Sequence, residues 1–315
     1  MRVSFRIAWA WPRALALIAA VAANAGAQLV RPLDAVQALR LDSLVGPITV
    51  YYSAGGRDRA RDVAAMLVKA KPLFRDSLGL VLEFHLALLN EVHWRTIKRE
   101  QRSSTQPIPM PYGVPWVSDP PHVVFLPVDR GGAVSQDFAS ASVYARPADV
   151  AQLQSAGLSF DEAAHRMVDL IGFHELGHNY AQAMGISFSP KWLAELVATY
   201  FAYAYLSTTQ PDQARLWDVM IRAKLAAPRP ARTSLDYFEA APRPMEPRTY
   251  NWYQAMFAQR VSELVPRYGF GFLRRVREAF PENASEKPSN EEALRRLDVF
   301  GPGFSTWAKQ FAEIK

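Results

Sequence analysis

The stretch FDEAAHRMVDLIGFHELGHNYAQAM, residues 160–184, decides how this chain folds. Its length and apolar content predict one long helix inside the protein. Ser159 with Glu162 three residues later forms a capping box at the start of this helix. Gly185 is a typical helix stop at its end.

This helix contains the sequence HELGH at residues 174–178, an HExxH motif. His174 and His178 are four residues apart, so both imidazoles project from the same helix face and can bind one metal ion. Glu175, beside the first histidine, can face the open side of the metal and take a proton from water. The motif therefore predicts a catalytic metal site.

Two histidines are too few for a catalytic zinc site, which uses three protein ligands and one open position. The next stretch, PKWLAELVATYFAYAYL, predicts a second helix that begins at Pro190 behind Ser189 as cap. A turn after Gly185 would let this helix return alongside the first. Glu195 lies on it, 17 residues beyond His178, and is the expected third ligand. Two histidines and a glutamate are a known ligand set for hydrolytic zinc.

HELGH followed by PKWLAE resembles the gluzincin metallopeptidases, the thermolysin-like and aminopeptidase-like clan. In that clan the second segment commonly reads W-L-x-E-G-x-A-x-Y, and here residues 192–200 read WLAELVATY. The resemblance implies a thermolysin-like zincin architecture and one Zn2+ per chain. It carries His174, His178 and Glu195 over as zinc ligands, and Glu175 as general base.

The resemblance continues downstream and covers about residues 159–310. The sequence YQAMF at 253–257 is similar to the helix whose tyrosine donates to the oxyanion in aminopeptidase-like members. Spacing to Gly269 favours Tyr253 for that role, with Tyr250 as the alternative. The tail at 290–307 is similar to the C-terminal helices of bacterial members.

Two positions depart from the pattern of the clan. Leu196 replaces the usual glycine after the ligand glutamate, so the packing of that helix should differ. Thr199 replaces a carboxylate that orients the first histidine in many members; a hydroxyl accepts the same hydrogen bond but polarises the imidazole less. The sequence has no G-x-M-E-N segment, so the resemblance does not support aminopeptidase activity.

The rest of the chain predicts an α+β fold, with a small mixed sheet lobe at 28–150 and a mainly helical metallopeptidase lobe at 151–315. Before residue 159 we expect a strand at 47–53 and a helix at 57–79. We expect a buried strand at 80–94, with a helix as the alternative, then a Pro-rich loop at 106–121 and a strand at 122–128. The strand at 122–128 is the candidate edge strand for pairing with a peptide. Beyond the HExxH region, the Pro/Arg-rich stretch 228–248 interrupts helices, and further helices are expected at 250–266, 268–280, 291–297 and 304–314.

Residues 1–27 have the order of a secretory signal: a basic start without acids, the apolar run Ala14–Ala23, then small residues before Gln28. We therefore expect export to the periplasm or beyond, without stable membrane insertion after cleavage.

The net charge of the chain falls from +6 to about +3 without this segment, which is too little to imply a nucleic-acid partner. The chain has no cysteine, so thiolate chemistry is excluded.

These patterns predict a zinc-dependent peptidase that acts on peptide or protein substrates. The ligand set is also compatible with manganese, cobalt or iron. Two alternatives stay open: a catalytically weak or inactive zinc-binding envelope protein, which Leu196 and Thr199 motivate, and a zinc hydrolase of a non-peptide amide. Substrate, cleavage position and oligomeric state are not encoded in any motif that we find.

Overall fold

The structure is a computed structural model that describes residues 31–100, 111–241, 245–284 and 287–311. The predicted signal segment and residues 106–110 of the predicted Pro-rich loop lie outside the described residues. In the described part of the chain, no helix has both the length and the apolar character needed to cross a membrane.

The sheet of the described chain has five strands: β1 Asp42–Val45, β2 Thr49–Tyr52, β3 Phe84–Leu89, β4 Trp116–Val117 and β5 His122–Pro127. Their spatial order is β1-β2-β3-β5-β4. The three inner strands are parallel, and the two edge strands β1 and β4 run antiparallel to their neighbours. The sheet is therefore mixed, and the predicted α+β class is confirmed.

Helices make up most of the remaining described residues. In chain order they are α1 Pro32–Ala38, α2 Arg57–Val68, α3 Ala70–Leu78, α4 Glu91–Glu100, α5 Ala133–Ser140, α6 Pro147–Ser155, α7 Phe160–Ala183, α8 Lys191–Thr209, α9 Pro211–Ala226, α10 Leu235–Ala240, α11 Pro247–Tyr268, α12 Gly271–Ala279, α13 Asn290–Asp298 and α14 Phe304–Ala308. The predicted long helix is α7, and it has the expected capping box between Ser159 and Glu162.

Both faces of the sheet are covered. Leu86 and Leu88 of β3 point into the main core, which continues without interruption into the helical half around α7 and α8. The alternate residues Ala87 and Leu89 point to a smaller core under α1 and α4. Burial on both faces explains why β3 is an almost continuous apolar run.

The stretch 80–94, predicted as a strand with a helix as the alternative, contains both: the strand prediction is wrong in the second half, which is helical. Strand β3 ends at Leu89, and helix α4 begins at Glu91. Asn90 starts the helix, because its side-chain oxygen accepts a hydrogen bond from the backbone N–H of His93. The apolar residues after Asn90 have helical spacing and pack in the smaller core.

The predicted single helix at 57–79 is two helices, α2 and α3, which meet at Lys69. Pro72 lies in the first turn of α3, where a missing N–H is tolerated. In one continuous helix the same proline would remove an internal hydrogen bond. Gly79 ends α3 in the left-handed conformation, as predicted.

The predicted edge strand at 122–128 is also wrong in its position. Strand β5 lies between β3 and β4, so it is internal. The edge strand on that side of the sheet is β4, inside the segment predicted to be too rich in proline for regular structure. A two-residue strand at an edge tolerates flanking prolines because one side of it needs no ladder hydrogen bonds.

After the last strand, the mainly helical half begins at Ala133, earlier than the predicted start at Ser159. Helix α9 and the short helix α10, which lies within the Pro/Arg-rich stretch, were not predicted. The helices expected at 250–266, 268–280, 291–297 and 304–314 correspond to α11, α12, α13 and the shorter α14.

Helix α8 begins differently from the prediction. Its N-cap is Pro190, and Ser189 makes no capping hydrogen bond. The carboxylate of Glu239 instead accepts hydrogen bonds from the backbone N–H groups of Lys191 and Trp192, each at 3.0 Å. A distant glutamate thus satisfies the free N–H groups of this helix start.

Candidate metal centre

The three predicted ligands lie together. Nε2 of His174 is 3.2 Å from Nε2 of His178, and Oε2 of Glu195 is 3.3 Å from the first nitrogen and 3.6 Å from the second. His174 is buried, and the other two side chains are mostly buried. Among the described residues they form the one group of three or more His, Asp or Glu side chains able to hold a metal ion.

This spacing fits a metal ion between the three atoms. Ligand atoms about 2.0–2.2 Å from a tetrahedral zinc ion lie about 3.3–3.6 Å from one another. The three observed distances fall within 0.1 Å of that range. The donor set of two imidazoles and one carboxylate also suits zinc.

Thr199 orients the first histidine. Its hydroxyl lies 3.0 Å from Nδ1 of His174, and the threonine is buried. When Nε2 of a histidine binds a metal, the ring proton is on Nδ1, so His174 donates this hydrogen bond to Thr199. The predicted contact of the hydroxyl with the first histidine is therefore present.

A close approach between α7 and α8 brings Glu195 to the histidines. A Cβ atom on Gly177 would lie 2.4 Å from the carbonyl oxygen of Ala198, far inside van der Waals contact. Only glycine fits at this crossing. The glycine inside HELGH thus sets the distance between the helix of the histidines and the helix of Glu195. Leu196, which replaces the usual glycine of the clan after the glutamate, is fully buried on α8.

Glu175 is buried next to the ligands, with 8 % of its surface exposed. Burial raises the pKa of its carboxyl, while His174 and His178 act in the opposite direction. For Glu195 burial also acts to raise the pKa, but hydrogen bonds from both imidazoles outweigh it and hold the pKa well below its usual range. The two carboxyls therefore have different proton affinities: Glu195 stays ionised as a ligand, and Glu175 is the better proton acceptor.

Gln254 is a site residue that the sequence analysis missed. Its Nε2 donates a 2.8 Å hydrogen bond to Oε2 of Glu195 from helix α11. The sequence predicted a helix here, but not which face it turns toward the metal centre. Tyr250, Gln254 and Ala258 follow one another at four-residue spacing, and all three line the same cavity.

The structure does not bring Tyr253 to the site. This residue is fully buried, and its hydroxyl donates a 2.7 Å hydrogen bond to the backbone oxygen of Ser234. Its ring packs among aromatic side chains, including Phe238 and Phe311. The alternative, Tyr250, lines the cavity beside the metal centre.

A cavity of about 520 Å³ opens beside the three ligands, a volume in the range of small-ligand sites. One wall comes from the sheet half, with Lys98 of α4 and Trp116 of β4. The opposite wall comes from the helical half, with Glu175 and Tyr250. Most of the lining is apolar, so a guest in this cavity is largely removed from water.

Comparison of the chain with protein-family models, curated proteins and solved structures gave no match. The assignment of a function therefore rests on the residues of the site and their geometry.

Proposed function

We propose that this protein is a zinc-dependent peptidase that uses Glu175 as its general base. The observation that carries the proposal is the convergence of three donor atoms from His174, His178 and Glu195 at the spacing of a tetrahedral zinc site. A thermolysin-like zincin architecture and export directed by residues 1–27 are parts of the same proposal.

His174, His178 and Glu195 would hold the ion. Zinc in such a site supplies Lewis-acid polarisation of the scissile carbonyl and lowers the pKa of water. Thr199 fixes the ring orientation of His174, and Gln254 restricts the carboxylate of Glu195. These two contacts keep the three donor atoms facing one another.

Glu175 moves the proton. Its carboxylate accepts a proton from a water molecule in the cavity and passes it to the leaving amine. Its burial supports this role, since a desolvated carboxylate binds a proton more readily than an exposed one. We assign the hydroxyl that contacts the substrate carbonyl to Tyr250, which lines the cavity, in place of Tyr253.

The edge strand β4 supports an extended peptide as the substrate. Trp116 and Val117 of this strand line the cavity, and within the described residues β4 has a strand neighbour on only one side. Its free edge can pair with the backbone of a peptide that lies across the metal centre. The apolar lining favours a peptide with apolar side chains.

Glu175→Gln tests the mechanism. The variant removes the proton acceptor but none of the ligands, so hydrolysis of a peptide library should disappear while zinc content stays at the wild-type value. Asp161→Asn, an exposed change on the same helix, is the control and should keep full activity. Full hydrolysis by Glu175→Gln would contradict the proposal. A zinc-loaded wild type that cleaves neither peptides nor cell-wall amides would favour the binding-protein alternative.

A further inference from the structure

Lys98 lines the cavity beside the candidate metal centre. It is the one Lys or Arg among the described residues that line this cavity. Among the described residues, no carboxylate oxygen lies within the 4.0 Å of an ion pair with its Nζ. A partly buried ammonium group without a counter-ion is costly, which makes such a group a candidate for ligand binding.

The position of the ammonium group is defined by aromatic packing. Nζ of Lys98 lies 3.3 Å from the centre of the Trp116 ring. That ring stacks in parallel on Phe125 at 3.8 Å. The three side chains connect helix α4, the edge strand β4 and the internal strand β5. A flexible lysine is therefore held in one place on the cavity wall.

The ammonium group of Lys98 favours an anionic guest at its own position, while the carboxyls of Asp119, Glu175 and Glu195 line other parts of the cavity. Burial lowers the pKa of Lys98 to about 7, and the negative charge of Glu175 only partly compensates. A carboxylate in contact with Nζ would stabilise the protonated amine in this poorly solvated place. Arginine and lysine side chains are otherwise absent from the described lining, so no other cation there competes for that guest.

A second polar group points to the same kind of guest. Asn179 is 97 % buried and lines the cavity, and its side-chain nitrogen has no hydrogen-bond partner in the part of the chain that the structure describes. It follows Glu175 by four residues on α7, so both side chains lie on the same helix face. A buried N–H donor without a partner is unfavourable until an acceptor arrives.

We propose that Lys98 binds a carboxylate of the substrate, so that the protein prefers apolar peptides with a negative charge close to the scissile bond. The carboxylate belongs either to the C-terminus of the peptide or to an acidic side chain. Asn179 supplies a further donor to the bound peptide. This proposal rests on the proposed peptidase function and specifies its substrate class.

Two matched peptide pairs test this proposal. The two peptides of the first pair differ only at the C-terminus, which is a free carboxylate in one and an amide in the other. The two peptides of the second pair both end in an amide and differ beside the scissile bond, where one has Glu and the other Gln. Zinc-loaded wild type, Lys98→Met and Lys98→Arg are compared on all four peptides. Methionine keeps the packing on Trp116 without the charge, and arginine keeps the charge.

We expect the wild type to prefer the acid in one pair by at least about tenfold in kcat/KM, mainly through KM. The pair with the preference identifies the source of the carboxylate. Lys98→Met should lose the preference, and Lys98→Arg should keep part of it. The proposal is overturned if neither pair shows a preference, or if Lys98→Met keeps it, because the metal ion would then bind the carboxylate.

Binding measurements separate this proposal from the proposed function. The same four peptides are titrated calorimetrically into the zinc-loaded proteins. If no peptide is cleaved but the wild type binds acids more tightly than amides and Lys98→Met does not, the peptidase proposal fails and the carboxylate site stands. Equal affinities for acid and amide in both pairs would reject the carboxylate site.

Discussion

At the scale of single residues, Thr199 is the departure from the gluzincin pattern with the most direct effect on the metal centre. Its buried hydroxyl accepts the hydrogen bond of His174 that a carboxylate would otherwise accept. A neutral acceptor fixes the orientation of the ring but adds no negative charge to polarise it. If His174 binds a metal ion as we propose, it does so with its ring fixed in orientation but less basic than beside a carboxylate.

Thr199→Val should weaken zinc binding by about 10–100-fold, because it removes the acceptor and keeps the shape of the side chain. A competition titration with a chelator of known affinity measures this change. Thr199→Ser keeps the hydroxyl and should stay close to the wild type. Equal zinc affinities of all three proteins would show that this hydrogen bond does not support the ligand.

Tyr250→Phe and Tyr253→Phe should have different effects. Loss of the Tyr250 hydroxyl should lower kcat by about 10²-fold or more with little change in stability, because its role is at the substrate carbonyl. Loss of the Tyr253 hydroxyl should lower the free energy of unfolding by about 1 kcal/mol, because its hydrogen bond to Ser234 is buried. Steady-state kinetics and denaturant unfolding measure the two effects. The reverse result would return the catalytic role to Tyr253.

At the scale of helices and strands, the site depends on how closely α7 and α8 cross at Gly177. Gly177→Ala places a methyl group against the carbonyl of Ala198 and should lower the free energy of unfolding by about 1–3 kcal/mol. It should also weaken zinc binding, since it moves Glu195 away from the histidines. Denaturant unfolding and chelator competition measure both effects.

Gly172→Ala is the matched control on the same helix. Its added methyl group would meet the ends of two flexible side chains, Leu67 at 3.3 Å and Leu126 at 3.5 Å, and no backbone atom outside its own helix lies closer than these. This variant should stay close to the wild type in both measurements. If Gly177→Ala behaved in the same way, the close crossing of the two helices would not determine the geometry of the site.

The elements that the sequence predicts well are those whose signals are local. Helix α7 has its capping box, its stop at Gly185 and its HExxH motif within one stretch, and Glu195 follows on the next helix. What the sequence does not contain is the arrangement between distant segments. The cap of α8 comes from Glu239, the order of strands makes β4 the edge, and the rotation of α11 turns Gln254 and Tyr250 to the metal centre in place of Tyr253. Asn90 is also a local signal, because its side chain caps the start of α4.

At the scale of the whole molecule, ion pairs connect segments that are far apart in the sequence. Asp169 of α7 accepts hydrogen bonds from Arg59 of α2 and Arg130 beyond β5, which joins the helix of the HExxH motif to the sheet half. Asp149 of α6 is bonded to Arg146 and to Arg222 of α9. The contacts of Asp169 therefore connect the sheet half with the helical half, and those of Asp149 connect α6 with α9 inside the helical half.

The cluster of Asp149, Arg146 and Arg222 predicts that the free energy of unfolding depends on pH. Hydrogen bonds from Arg146 and Arg222 lower the pKa of Asp149 to about 2. Because this pKa is below the unfolded value of about 4, the cluster stabilises the protein fully above pH 4 and loses its effect as pH falls toward 2. Asp149→Asn should cost about 1 kcal/mol or more at pH 7, after allowance for the exposed arginines. The difference from wild type should shrink between pH 4 and pH 2 in denaturant unfolding, and a constant difference would contradict this assignment.

The zinc content of the purified protein is the most direct test of the metal centre on which the proposed function rests. Wild type, Glu195→Ala and the exposed control Glu278→Ala are supplied with zinc, freed of excess and analysed by mass spectrometry for metal. We expect about one zinc ion per chain in wild type and control, and little in Glu195→Ala, because two histidines alone hold the ion weakly. No zinc in the wild type, or full zinc in Glu195→Ala, would contradict the three-ligand site.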